Sequence, residues 1–212
     1  MTGYSEMSIH LEPSADVAAD AEIGEGTRVW HLAQVRERAT IGRHCTVGRG
    51  AYVGPDVVIG DNCKLQNYAL VYEPAELGNG VFIGPAAVLT NDLHPRAVSP
   101  DGVVKDASDW SAVGVTIRDG ASIGARAVCV APVAIGPWAM VAAGAVVTTD
   151  VAAFALVAGV PARQIGWVGR AGARLQPGPY DGSWICPATG DRYQEFEHEL
   201  KLHMESALDQ AP

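Results

Sequence analysis

An aliphatic residue recurs at every sixth position along the first part of the chain. From residue 11 to residue 89 each sixth residue is branched and aliphatic, and the residue four places later is small or apolar. Helices repeat about every 3.6 residues and strands alternate, so neither explains this period. A hexapeptide period predicts a parallel β-helix, in which three hexads form one triangular coil with these residues pointing inward. The aliphatic positions are Leu11, Val17, Ile23, Val29, Val35, Ile41, Val47, Val53, Ile59, Leu65, Val71, Leu77, Ile83 and Leu89.

The six-residue period is interrupted once. It stops at Asn91 and resumes at Ile117, and the interval between Leu89 and Ile117 is not a multiple of six. Residues from 92 to about 114 are therefore expected to leave the coils as a loop. Long loops in compact scaffolds are usually functional or disordered, and we expect a functional loop here. Its turn and anchor residues are Pro95, Pro100 and Trp110.

The pattern divides the chain into three parts. Residues 1–10 are predicted to be an N-terminal lead-in, and residues 11–163 a β-helix ended by the run Gly159–Arg163. Residues 164–212 are predicted to form an irregular extension followed by an amphipathic helix. The predicted fold is thus all-β, a parallel β-helix of hexapeptide repeats with one inserted loop and a C-terminal α-helical tail. Apolar residues at helical spacing in the tail are Tyr193, Phe196, Leu200, Met204 and Leu208.

Charge and cysteine content narrow the possible partners. The 212 residues carry a formal net charge of −9, with a pI near 5.0, which argues against nucleic acid or an anionic membrane as the main partner. The four cysteines lack metal-like pair spacing and suggest a reducing, cytoplasmic compartment. Cys45 and Cys63 are expected to stack as reduced thiols inside the prism. No basic residue leads an apolar segment at the start, so no signal peptide is expected.

One uncharged stretch has the length of a membrane span. Residues 127–149 contain no charged residue, and about 20 apolar residues are enough to cross a bilayer. The stretch contains prolines and glycines, however, and keeps the six-residue period. We therefore expect it to form coils, and we expect no membrane association.

Shorter motifs resemble one family of enzymes. The hexads and the closing run Val141–Asp150 resemble the left-handed β-helix acyltransferases. Within that superfamily the chain is similar to nucleotide-sugar amine N-acetyltransferases. The shared motifs are Trp30-His31, Lys64-Leu65-Gln66-Asn67, Val71-Tyr72, Gly84-Pro85, Thr90-Asn91-Asp92, Pro95-Arg96 and Arg163-Gln164-Ile165-Gly166-Trp167.

The resemblance implies left-handed coils, a homotrimer, and active sites in the grooves between prisms. It implies acetyl transfer from acetyl-CoA, without a metal, to the 3-amino group of a UDP- or dTDP-linked amino sugar. Backbone groups near Ala125, Ala143 and Gly144 would then contact the pantetheine of CoA. Arg163 would meet a CoA phosphate, since guanidinium groups pair well with phosphate.

The motif at residues 91–94 carries the candidate catalytic groups. A sugar hydroxyl must lose a proton to attack a thioester and needs a general base, usually histidine. An unprotonated amine is already nucleophilic, so positioning and oxyanion donors suffice. The resemblance implies that Asn91 orients the acceptor amine. His94 is the candidate base, or else a ligand-contacting residue, and Asp92 would either polarise His94 or cap the turn.

Other residues are candidates for binding the acceptor. Gln66 and Asn67 would contact the nucleotide or sugar hydroxyls, and Arg96 would bind the diphosphate or a sugar carboxylate. Tyr72 and Glu73 lie one hexad later, with corner packing as the alternative. His31 is a further candidate, with packing against Trp30 as the alternative. The run Glu73-Pro74-Ala75-Glu76 departs from the Asp-Gly corner usual in the family.

Three other functions stay open on the sequence alone. A sugar O-acetyltransferase could use His94 as its base. A γ-type carbonic anhydrase would need histidines converging on zinc, and the near pair, His198 and His203, falls in the predicted tail. A non-catalytic scaffold is the third alternative, because fold alone does not determine function.

Overall fold

Short strands recur at the predicted aliphatic positions. The structure, a computed structural model, describes residues 8–197 and 199–203. Within each hexad the inward aliphatic residue ends a two-residue strand, and the next residues turn the corner. Before the loop the strands are β1 (His10–Leu11), β2 (Asp16–Val17), β3 (Glu22–Ile23), β4 (Arg28–Val29), β5 (Gln34–Val35), β6 (Thr40–Ile41), β7 (Thr46–Val47), β8 (Tyr52–Val53), β9 (Val58–Ile59), β10 (Lys64–Leu65), β11 (Leu70–Val71), β12 (Glu76–Leu77), β13 (Phe82–Ile83) and β14 (Val88–Leu89).

The period continues after the loop, which contains a 3-10 helix at Ala107–Asp109. The last regular coils are closed by a longer strand and an antiparallel return strand. These strands are β15 (Val115–Ile117), β16 (Ser122–Ile123), β17 (Val128–Cys129), β18 (Val133–Ile135), β19 (Met140–Val141), β20 (Val146–Val147), β21 (Ala155–Ala158) and β22 (Arg163–Trp167).

Every third strand pairs in parallel, which produces three flat faces. Face A runs β1-β4-β7-β10-β13-β16-β19-β21-β22, face B runs β2-β5-β8-β11-β14-β17-β20, and face C runs β3-β6-β9-β12-β15-β18. Leu65 pairs with Ile83 on face A, and Val71 pairs with Leu89 on face B. The predicted coil of three hexads is confirmed, and the fold is a β-solenoid of the left-handed β-helix type.

From Val29 onward the predicted inward residues fill the interior of the prism, whereas Leu11 at the open first coil is 45% exposed. Ile59 and Ala69 have exposed fractions of 1% and 0%. Cys45 and Cys63 are buried free thiols, and the backbone N–H of Cys63 donates to Cys45 Sγ at 3.3 Å, as predicted. Residues 127–149 form the coils of β17 to β20. Within the described residues, no helix has the length and hydropathy needed to cross a membrane.

Polar side chains connect successive coils at the corners. At the second position after an inward residue, a side-chain oxygen accepts the backbone N–H of the equivalent residue one coil earlier. We call this series the corner ladder. Its donor–acceptor distances range from 2.7 to 2.9 Å. The pairs are Asp61 with Arg43, Asn67 with Arg49, Asn79 with Asp61, and Asp119 with Asn79.

The predicted C-terminal helix is wrong for the residues that the structure describes. Strands β23 (Gln176–Pro177), β24 (Ser183–Ile185), β25 (Arg192–Phe196) and β26 (Glu199–Leu202) form an antiparallel terminal sheet. Tyr193 and Leu200 are buried between exposed neighbours, which is the period of two of a strand. Apolar residues three and four apart matched a helix because a hairpin turn separates the two strands. Met204 and Leu208 lie outside the described residues.

One carboxylate joins the terminal sheet to the solenoid. Glu195 Oε2 accepts the indole N–H of Trp167 at 3.1 Å and that of Trp184 at 2.9 Å. We expect Glu195→Ala to lower the free energy of unfolding by about 2 kcal/mol, because the indoles of the buried Trp167 and the half-buried Trp184 lose a charged acceptor. Glu199→Ala, at an exposed position in the same sheet, should change it by less than about 0.5 kcal/mol. Denaturation followed by tryptophan fluorescence measures both, and equal effects would contradict the role of Glu195.

Candidate active site

The loop leaves the prism at the corner that follows face B. Strand β14 ends at Leu89, and the chain returns to the solenoid at β15. The backbone N–H of Val113 donates to the carbonyl of Asn91 at 3.1 Å and closes the base of the loop. A Cβ on Gly114 would lie 2.7 Å from the carbonyl oxygen of Pro74. A glycine at this position therefore lets the returning chain pack directly on the coil below.

Asn91 occupies a corner-ladder position but does not take part in the ladder. It follows Leu89 by two residues, as Asn67 follows Leu65 and Asn79 follows Leu77. Asn67 and Asn79 each accept a backbone N–H. The half-buried side-chain amide of Asn91 forms no hydrogen bond with the described part of the chain. Its donors and acceptor are therefore available to a ligand at the base of the loop.

Asp92 and His94 do not form an acid–base pair. Asp92 Oδ1 accepts the backbone N–H of His94 at 2.8 Å, which is the turn-capping arrangement. The imidazole of His94 is exposed and forms no hydrogen bond with residues 8–197 or 199–203. The geometry thus leaves the ring without the carboxylate that would fix its tautomer.

A cavity of about 340 Å³ lies within the loop and is lined by loop residues alone. Two cationic and three anionic side chains face it, together with the indole of Trp110. Lys105 and the acidic residues of the 3-10 helix region were not singled out from the sequence, because only the fold of the loop brings them to Arg96. Such a mixed lining suits a polar ligand that carries both charge and hydroxyl groups. The lining residues are Asp92, Arg96, Lys105, Asp106, Asp109 and Trp110.

Glu73 and Tyr72 lie one coil below Asn91. Val71 pairs with Leu89, so Glu73 and Asn91 hold equivalent positions in adjacent coils at the corner that follows face B. The rings of Tyr72 and Tyr52 are 5.1 Å apart. Burial raises the pKa of Tyr52, and the negative charge of Glu73 raises it further. Among the residues that the structure describes, Glu73 Oε2 is buried without a hydrogen-bond partner.

The other predicted residues lie at a different corner, the one that joins faces A and B. Gln66 and Asn67 follow β10, Ala125 follows β16, and Ala143 and Gly144 follow β19. The carbonyl of Ala125 accepts the N–H of Gly144 at 2.9 Å, so these backbones are in direct contact. In one chain this corner is separated from Asn91 by the width of face B.

Arg163 and His31 lie at opposite ends of the solenoid. Arg163 is exposed and pairs with Ala158 in the strands that close the last coil. His31 stacks on Trp30 near the first coils, and its Nε2 is 3.2 Å from Glu12 Oε2. The structure therefore groups Arg163 with the late coils but does not bring His31 near Asn91. His203 follows a strand of the terminal sheet, and His198 lies outside the described residues.

Comparison with known sequences identifies relatives of the coils. The bacterial transferase hexapeptide family (six repeats) matches residues 20–55 and 56–91, and the hexapeptide repeat of succinyl-transferase matches residues 114–149. A 2,3,4,5-tetrahydropyridine-2,6-dicarboxylate N-acetyltransferase of Staphylococcus aureus (strain JH9) is 42% identical over 88 residues. That match covers 42% of this chain and 31% of the relative, so the chain spans about a third of the relative's length.

One solved structure shows the same solenoid fold. LpxA, a UDP-N-acetylglucosamine acyltransferase from Bacteroides fragilis 9343, superposes with a TM-score of 0.60 at 17% identity, covering 75% of this chain and 61% of that one. PerB from Caulobacter crescentus, in complex with CoA and GDP-perosamine, gives a TM-score of 0.47 at 25% identity and covers 76% and 58%. The family matches together span just over half of the chain. The chain therefore belongs to the hexapeptide-repeat transferases.

Proposed function

We propose that the protein transfers an acetyl group from acetyl-CoA to the 3-amino group of a nucleotide-linked amino sugar. The observation that carries this proposal is the side-chain amide of Asn91, which is released from the corner ladder at the base of a loop whose side chains line a polar cavity. The family supports acyl transfer in general terms, and the Staphylococcus aureus relative is named as an N-acetyltransferase.

The reaction needs positioning more than proton abstraction. The amine nitrogen attacks the thioester carbonyl, a C–N bond forms, and the C–S bond breaks. The departing CoA thiolate takes the proton that the nitrogen loses. Asn91 orients the amine, which lowers the barrier by fixing the attack geometry. The exposed ring of His94, which pairs with no carboxylate in the described part of the chain, favours this route over a histidine base.

The acceptor occupies the cavity within the loop. Arg96 and Lys105 both face it and would neutralise a diphosphate, since cationic side chains suit phosphate oxygens. Tyr72 and the indole of Trp110 would flank the sugar or the base. The assignments of Arg96, Lys105 and Trp110 follow from their positions around the cavity, and that of Tyr72 from its place one coil below Asn91.

The thioester of acetyl-CoA lies along the corner between faces A and B. A neighbouring chain of a homotrimer contributes that corner to the site. Within one chain, face B separates Ala125, Ala143 and Gly144 from Asn91. A cyclic trimer of prisms would set the thioester corner of one chain against the loop of the next. Backbone groups would bind the pantetheine, and Arg163 together with Gln66 and Asn67 would complete the groove.

A panel of UDP- and dTDP-linked amino sugars, each beside its hydroxyl counterpart, tests this function with acetyl-CoA. We expect release of free CoA with 3-amino sugars and none above background with the hydroxyl sugars. Faster transfer to a hydroxyl would establish an O-acetyltransferase instead. Absence of both turnover and acetyl-CoA binding would leave the scaffold alternative.

A further inference from the structure

Glu73 occupies a corner-ladder position whose donor is missing. In each ladder pair the acceptor bonds the backbone N–H of the residue 18 positions earlier, or 40 positions earlier across the loop. For Glu73 the equivalent residue is Pro55, and proline has no N–H. The side chain nevertheless takes the ladder position, because Glu73 Oε2 packs against Gly54 as Asn79 Oδ1 packs against Gly60.

This carboxylate is the exception among the buried polar groups. Within residues 8–197 and 199–203, Glu73 Oε2 is the one buried side-chain nitrogen or oxygen without a hydrogen-bond partner. Arg36, which follows β5 on face B, is committed elsewhere, since its Nε bonds Glu37 Oε2 at 2.8 Å. A buried acceptor without a donor is costly, and native structures seldom keep one without a reason.

Because Glu73 has no ladder donor, its side chain can change rotamer without breaking a ladder hydrogen bond. Asp61, Asn67, Asn79 and Asp119 would each lose a hydrogen bond on leaving the ladder, whereas Glu73 loses none. In the next coil Asn91, also outside the ladder, holds the equivalent position at the same corner. Two uncommitted polar side chains thus lie in adjacent coils where the loop opens.

We infer that Glu73 is the carboxylate that accepts an N–H of the acceptor amine and holds it beneath Asn91. This inference rests on the proposed function. Aliphatic amines are largely protonated near neutral pH, so a carboxylate attracts the ammonium form. The bound ammonium first loses one proton to solvent. The neutral amine then still donates one N–H to Glu73, and its lone pair is left to face the thioester. A carboxylate at this point therefore favours an amine over a hydroxyl acceptor.

Two substitutions test the inference from opposite directions. Glu73→Gln removes the charge, and we expect KM for the amino sugar to rise roughly 10- to 100-fold, the range that a hydrogen bond to a charged group contributes. Pro55→Ala restores a backbone N–H and ties Glu73 into the ladder. It should raise the same KM without lowering the melting temperature. Glu76→Gln, at an exposed position on β12, is the matched control and should behave as wild type.

Inhibition by UDP or dTDP alone tests whether the nucleotide-binding part of the site is intact in each variant. Its Ki should be unchanged in both variants, because neither diphosphate carries the amine. If wild type acetylates the amino sugar and both variants keep its KM, the inference is overturned. A rise in Ki equal to the rise in KM would also overturn it, since that pattern reports general damage. If wild type acetylates no amino sugar, it is the proposed function that fails.

Discussion

Asn91→Ala is expected to lower kcat roughly 100- to 1,000-fold, the cost of removing one preorganised polar group that acts on the transition state. The side-chain amide of Asn91 makes no hydrogen bond within the described chain, so the substitution removes contacts to the reacting amine and little else. Binding of acetyl-CoA should persist, because its proposed contacts lie at the other corner. Single-turnover rates with saturating amino sugar measure the chemical step directly.

Asn79→Ala provides the matched control for this substitution. Asn79 is also an asparagine and holds the same position in its hexad, at a different corner of the prism. Its Oδ1 accepts the backbone N–H of Asp61 at 2.8 Å. Loss of that bond should cost about 1 kcal/mol of stability and leave kcat unchanged. Similar kcat losses in both variants would show that Asn91 acts only through the fold.

Substitution of His94 distinguishes acetylation of an amine from acetylation of a hydroxyl. We expect His94→Ala mainly to raise KM for the sugar, because the exposed ring lacks the carboxylate that would orient a base. The opposite result would be a large fall in kcat together with loss of the increase in kcat with pH that a general base produces. It would assign the reaction to a histidine base and favour a hydroxyl acceptor.

The solenoid could be predicted because its physical cause is local. Each coil repeats the same requirement for an aliphatic and a small inward residue, so the period is visible without any knowledge of contacts. The loop was predictable for the same reason, since the interval from Leu89 to Ile117 breaks the period. The terminal sheet has no such period. Tyr193 and Leu200 satisfy a helical spacing by coincidence, because a turn places them in two separate strands.

The site was only partly visible in the sequence, because its properties depend on what lies one coil away. Asn79 and Asn91 have equal positions in the repeat, yet one is bound in the ladder and the other is not. Glu73 lacks a donor because residue 55 is proline, which becomes informative only when the two are stacked. The candidate residues also lie at two corners, a separation that motif order along the chain does not reveal.

Gly84→Ala is expected to destabilise the fold by about 3 kcal/mol, the upper part of the range for overpacking. A Cβ on Gly84 would lie 2.6 Å from the backbone nitrogen of Ala125 and 2.7 Å from the carbonyl oxygen of Ile123. These neighbours are backbone atoms and cannot rotate away. The coil above would have to rise, which stretches the hydrogen bond from Gly84 N–H to the Ile123 carbonyl, now 2.7 Å.

Gly80→Ala separates this contact from the general effect of losing a glycine. Gly80 has φ +66, and the nearest atoms to an added Cβ are 4.0 Å away. Ala86, at the same position in the next hexad, adopts φ 54. The loss in the free energy of unfolding for Gly80→Ala should therefore stay at about 1 kcal/mol. Denaturant midpoints at unchanged slope compare the two variants, and equal losses would contradict the close coil contact. Because the displaced backbone includes Ala125, Gly84→Ala should also raise KM for acetyl-CoA, whereas Gly80→Ala should not.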